Sequence, residues 1–82
     1  MKDNTYQGWA NRATWNISLW INNDEPIYRL AVQFMTEYKG KRPYRDFVRW
    51  AGLENATTPD RFSFTGSRLN YRELNEMMKE LV

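Results

Sequence analysis

The chain has no cysteine and no histidine among its 82 residues. Without cysteine there is no disulfide scaffold and no thiolate metal site, which is compatible with a reducing compartment. Without histidine, the commonest general base, the commonest zinc ligand and the usual pH switch are all missing. Ser63 and Ser67 therefore have no imidazole to activate them. The four glycines are scattered at positions 8, 40, 52 and 66 and form no phosphate-cradling loop. Apolar runs last only a few residues, far short of a membrane span. The opening "MKDNTYQGW" is too polar for the core of a signal peptide. These absences predict a soluble, cytoplasmic, non-catalytic domain with no cofactor and no metal. Glu73, Glu76 and Glu80 at i, i+3, i+7 read as helix-surface electrostatics with Arg72 and Lys79, since no histidine converges on them.

What is present is aromatic. Phe, Trp and Tyr make up 16% of residues, enough to build a core in a single small domain spanning 1–82. The net charge is only +2, but it is uneven. Residues 1–38 and 50–82 each carry −1, whereas 39–49 carry +4 from Lys39, Lys41, Arg42, Arg45 and Arg49 against Asp46. The positive excess is one local patch.

Residues 1–8 read as a flexible arm ending at Gly8. The stretch "NRATWNISLWINND" (11–24) fits two templates. As a strand it alternates, with Trp15, Ile17, Leu19 and Ile21 on one side. As a helix it carries Ala13, Ile17, Trp20 and Ile21 on one stripe, with Trp15 and Leu19 on an opposite ridge. The helix is preferred, with Asn11 as its N-cap and Trp20 on the core side. A second helix opens with Asp24, Glu25 and Pro26 and turns Ile27, Leu30, Ala31, Phe34 and Tyr38 inward, ending near Gly40. A third starts at Pro43, with Tyr44, Phe47, Val48 and Ala51 inward and a stop at Gly52. Residues 53–69 read as an ordered loop in which Phe62 and Phe64 reach the core. A last helix follows Asn70, with Tyr71, Leu74, Met78 and Leu81 inward. The predicted fold is mainly α, a compact bundle of about four short helices. The alternative is α+β, with 14–21 as a strand pairing with 61–65.

Three groups of residues invite a functional reading. Trp9, Trp15, Trp20 and Trp50 are core candidates by size. Trp15 and Trp20 on one helix, however, point about 140° apart, so either this helix is central or one ridge meets a partner. Asn11, Asn22 and Asn23 suit caps and turns, whereas Asn16, mid-segment among aromatics, is either a buried hydrogen-bonding residue or a contact residue. The cluster Lys39, Lys41, Arg42, Arg45 and Arg49 lies on a helix–turn–helix pattern and suits either nucleic acid or an acidic protein surface.

The stretch "YQGWANRATWNISLWINNDEPIYRLA" resembles the opening of a group of small uncharacterised proteins encoded by bacteriophages, prophages and plasmids. Their pattern is G-W-x-N-R-x-T-W-N-V-x-L-W-I-x-N-D-E-x-x-Y. Gly8, Trp9, Asn11, Arg12, Thr14, Trp15, Asn16, Leu19, Trp20, Asn23, Asp24, Glu25 and Tyr28 match it, Ile17 replaces Val, and Pro26 stands where Gly is common. The tail "TGSRLNYRELNEMMKEL" is similar to a closing Leu-Asp-Tyr-x-x-Leu-x-Glu-Met, with Asn70 for Asp. The match covers the first third and the last sixth and leaves out the basic patch. It implies a mobile-element origin, hence the cytoplasm of a bacterial host, and it brings no activity. Small phage proteins of this kind often act by stoichiometric binding, so the expectation is an accessory or inhibitory protein that binds a host protein. Its contact residues are expected to be Trp9, Asn11, Arg12, Trp15, Asn16 and Leu19. The alternative is a small DNA- or RNA-binding regulator using the helix at 42–49, and a homodimer through the spare Trp ridge is a third expectation.

Overall fold

Asn11 starts the first helix by leaving it. Its backbone is extended, and its side-chain oxygen accepts from the Thr14 amide at 2.8 Å, satisfying one of the free N–H groups of the first turn. Helix α1 (Arg12–Asn23) follows, and the strand alternative for 14–21 is thereby overturned. The chain, a computed structural model, is described for residues 6–82. Four helices form the bundle within that range: α1, α2 (Glu25–Glu37), α3 (Pro43–Trp50) and α4 (Tyr71–Lys79).

Asp24 both ends α1 and begins α2. Its amide bonds back to the Trp20 carbonyl, and its carboxylate accepts from the Ile27 amide. One residue therefore joins two helices, and Pro26 fits the first turn where no amide partner is required. Helix α3 ends on Gly52, whose φ of +74° completes the C-terminal cap. There the Leu53 amide reaches the Val48 carbonyl at 2.9 Å and the Gly52 amide the Arg49 carbonyl at 3.2 Å. Gly40 has no such role: α2 ends earlier, at Glu37, with Tyr38 as the capping residue.

Helix α1 packs on α2 and α3 on α4, with α1–α4, α2–α3 and α2–α4 contacts closing the bundle; α1 and α3 are not neighbours. The core contains Ile17, Ile21, Ala31, Met35, Tyr44, Phe47, Val48, Leu74, Met77 and Met78, joined by Phe64 and Leu69 from the long connection between α3 and α4. The Tyr44 hydroxyl donates to the Phe64 carbonyl at 2.6 Å, and burial pushes its phenol pKa up. Two residues expected inside are not there. Leu30 is exposed, and Trp20 is only half-buried at the edge of the bundle. Ahead of α1, residues 6–9 form a tight turn with reciprocal Tyr6–Trp9 backbone bonds and left-handed Gln7 and Gly8. Of the arm expected over 1–8, residues 1–5 lie outside the described residues.

Candidate partner-binding surface

The connection between α3 and α4 has an isolated bridge between Thr57 and Ser63 as its only ladder pairing among the described residues. A segment this poor in regular structure needs side chains to hold it, and α1 supplies them. Asn16, with no solvent exposure, accepts from the Thr58 hydroxyl at 2.7 Å and donates its amide to Asp60 Oδ2 at 2.7 Å. Trp20 Nε1 donates to the same Asp60 oxygen at 3.2 Å. One turn earlier in the helix, Thr14 Oγ1 accepts from the Asn70 amide at 2.9 Å and donates to Asn11 Oδ1. Asn11 Nδ2 in turn donates to the Arg68 carbonyl at 2.7 Å. Together these side chains of α1 clamp residues 58–70.

This placement fixes the electrostatics of the clamp. The Asn16 and Trp20 hydrogen bonds hold the Asp60 carboxyl below the usual carboxylate range, with Arg12 adding a weaker pull in the same direction. No buried side-chain nitrogen or oxygen among the described residues lacks a hydrogen-bond partner. Sequence reading did not find Thr58 or Asp60. The signal it did register was Asn16 itself, a buried amide that required partners of some kind.

The expected contact set Trp9, Asn11, Arg12, Trp15, Asn16 and Leu19 thus divides. Asn16 is corrected outright, because a fully buried side chain with both ends bonded internally has nothing to offer a partner. Asn11 is occupied as cap and loop anchor. Trp9 packs its ring against the core, and the neighbouring Ala10 amide donates to Glu73 at 2.8 Å. Arg12, Trp15 and Leu19 remain. They stand at i, i+3 and i+7, on the face of α1 turned away from Ile17 and Ile21. Neither Trp15 nor Leu19 packs against the core, and both are only half-buried. Tyr6 covers part of Trp15, with its ring edge-on at 4.9 Å. Arg12 is exposed, its guanidinium 5.7 Å from the Phe62 ring centre.

The basic cluster is a second surface. Lys39, Lys41, Arg42, Arg45 and Arg49 are all exposed. Arg42, Arg45 and Arg49 follow at i, i+3 and i+7 on the side of α3 opposite Phe47. Arg49 lies 3.7 Å from Glu54, and Arg45 sits over the Tyr71 ring at 5.0 Å. Among the described residues no carboxylate lies within ion-pair distance of Lys39, Lys41, Arg42 or Arg45. Beside them Trp50, 49% exposed, leans on Phe34 at 5.3 Å. By size alone Trp50 is a core candidate, and its position one residue before the α3 cap, off the Tyr44, Phe47, Val48 and Ala51 stripe, is the available hint of exposure.

The described residues hold no group of three or more Asp or Glu placed to bind a metal, and no helix among them is long and apolar enough to cross a membrane.

Fold and surfaces together define a small mainly α-helical bundle whose first helix clamps a long loop. The chain belongs to the "Family of unknown function (DUF7249)", whose model matches residues 2–82. Neither the curated proteins nor the solved structures contain a match to it.

Proposed function

We propose that this is a non-catalytic accessory protein of a bacteriophage or other mobile element, which binds a host protein in the bacterial cytoplasm and modulates or inhibits it by contact. The single observation that carries the reading is the outer ridge of α1. Trp15 and Leu19 are large apolar side chains on a helix face that contributes nothing to the core. A chain that needed them only for folding would bury them, and burying a Trp or Leu side chain stabilises by roughly 1.5–3 kcal/mol. Trp and Arg are the residue types that concentrate binding energy at protein interfaces, and Trp15 lies beside Arg12 here.

The chemistry of the ridge suits a protein. It combines rings, an aliphatic side chain and one guanidinium, with Asn22 and Asn23 one turn further on. A standard interface of about 800 Å² per partner would take about a seventh of the 5825 Å² surface, so the ridge would form its centre. The mechanism is steric occlusion of whatever surface the partner presents to its own ligands.

The test is affinity capture from host lysate with nuclease added, comparing the native chain with Trp15→Ala/Leu19→Ala. The proposal expects a protein retained by the native chain in the presence of nuclease and lost from the variant. Capture that is unchanged in the variant, or a native chain that light scattering shows to be a dimer through this ridge, removes it.

A further inference from the structure

The geometry points to a second binding activity: the exposed side of α3 and the aromatic grooves that flank it bind single-stranded nucleic acid through its phosphodiester backbone. This inference is independent of the α1 ridge, since α1 and α3 are not neighbours.

Three observations carry it. First, Arg42, Arg45 and Arg49 form a row on one side of α3, rising roughly 5 Å from one arginine to the next. Arg42 and Arg45 have no carboxylate partner among the described residues. Asp46 is the carboxylate in the same turn, and it is engaged by the Tyr38 hydroxyl. Cations aligned without a close ion-pair partner suit a polymer of phosphates. Second, the groove between α3 and α4, lined by Arg42, Arg45, Tyr71 and Asn75, contains no acidic side chain. The Asn75 carbonyl oxygen accepts from the Tyr44 amide at 3.0 Å, which leaves its NH2 as a further donor. An oxyanion meets two guanidinium groups and the Asn75 NH2 there, while the Tyr71 hydroxyl donates to the Gly66 carbonyl. Third, the groove on the other side of α3 is aromatic, with Phe34, Tyr38 and Trp50 beside Lys39, and Glu37 is its one acidic lining residue. Trp50 is the most exposed aromatic ring among the described residues. A strand crossing the arginine row has a flat ring at hand for an unpaired base, the combination of cation and stacking platform that holds single strands without reading sequence.

An acidic protein surface would satisfy the arginines but gives the exposed Trp50 ring no specific role. A duplex keeps its bases stacked and could not use the ring either. Single strands use both features, and neither DNA nor RNA is singled out by the groove chemistry.

The experiment is fluorescence polarisation of a labelled 15-nucleotide oligo-dT and of the matching RNA, titrated with the full chain between 20 and 200 mM salt. Polyglutamate and unlabelled duplex of the same length serve as competitors. With three to five phosphate contacts, log affinity should fall with log salt at a slope of about −2 to −3.5. Arg45→Gln should make that slope shallower by about 0.7. Trp50→Ala should weaken single-strand binding about tenfold. Because Trp50 leans on Phe34, circular dichroism must show that the variant is folded; Arg42→Gln/Arg45→Gln, altering exposed side chains only, tests the same inference without that demand. Single-strand binding that polyglutamate and duplex displace only weakly supports the inference. No binding at 20 mM salt up to about 100 µM protein overturns it, as does equal displacement by polyglutamate, preference for duplex, or an arginine variant whose salt slope is unchanged.

Discussion

Replacing Asn16 by alanine would remove the centre of the clamp between α1 and the 58–70 segment, and the cost can be assembled from its partners. The Thr58 hydroxyl is buried and loses its acceptor. A buried donor left unpaired costs about 1–3 kcal/mol. Asn16 is itself fully buried, so truncation also leaves a small void worth about 1 kcal/mol. Asp60 is exposed and passes its lost bond to water, so its share is small and is left out of this sum. The expected destabilisation is about 2–4 kcal/mol, which for a chain of this size lowers the melting midpoint by on the order of 10–25 °C. Urea and thermal unfolding followed by circular dichroism measure it. Tryptophan fluorescence gives an independent trace, because Trp20 loses the neighbour that shares its Asp60 contact. A double-mutant cycle with Thr58→Val isolates the pair, and a coupling of about 1 kcal/mol or more is expected because the two side chains share one bond. Thr58→Val alone also strips the Phe62 amide of its Oγ1 acceptor, so the single variants are not expected to match. An Asn16→Ala effect below about 0.5 kcal/mol would refute the reasoning and return Asn16 to the set of contact residues.

Other outcomes follow from the same structure. Asp60 titrates below the usual carboxylate range when folded, so its stabilising contribution is present above the unfolded carboxyl pKa and is lost as pH falls through the folded value. Acid titrations of the unfolding midpoint should show this loss in the native chain and a weaker one in Asn16→Ala. Tyr44 is the opposite case: its folded pKa is raised, so its contribution holds below the unfolded pKa of about 10 and is lost at more alkaline pH. Tyr44→Phe should cost about 1–2 kcal/mol near neutrality, from the Phe64 carbonyl left unpaired, and should flatten the alkaline limb of a pH–stability profile. Arg61 holds a left-handed φ of +74°, so Arg61→Gly should stabilise by about 0.5–1 kcal/mol in urea unfolding, provided the exposed guanidinium makes no compensating contact.

How much of this was legible in the sequence depends on range. Caps are local, and Asn11, Asp24 and Asn70 could be placed from neighbours three residues away. The bundle of four helices followed from apolar spacing. The choice of helix over strand for 14–21 turned on Asn11 and Asp24 as caps, since Trp15, Ile17, Leu19 and Ile21 alternate well enough for a strand. What could not be read was long-range pairing. Asn16 meets Thr58 and Asp60 more than 40 residues away, and nothing in "TPDRF" announces a partner for a helical amide. The same gap misplaced Trp20, whose ring was assigned to the core by periodicity. Its indole N–H is drawn to Asp60 at the rim, a polar demand that hydrophobic spacing does not register. Leu30 shows the converse: it shares its spacing with Phe34 and Ile27, but among the described residues it is exposed and stands outside the core cluster. The division of α1 between clamp residues and an outer ridge also changes how residues 11–24 are read. Asn11, Thr14, Asn16 and Trp20 serve the fold, and the proposed contact set narrows to Arg12, Trp15 and Leu19.

The central claim is that the outer ridge of α1 exists for binding and the inner side for folding. The most direct test pairs two variants in one thermal-unfolding and capture experiment: Trp15→Ala/Leu19→Ala on the ridge and Ile17→Ala in the core. The ridge variant should stay folded, losing about 1.5–3 kcal/mol in total from two half-buried side chains and so less per side chain than the core variant, yet lose the captured host protein. Ile17→Ala should lose about 2–5 kcal/mol. A ridge variant whose loss per side chain matches that of Ile17→Ala, or one that retains the partner in full, would contradict the claim.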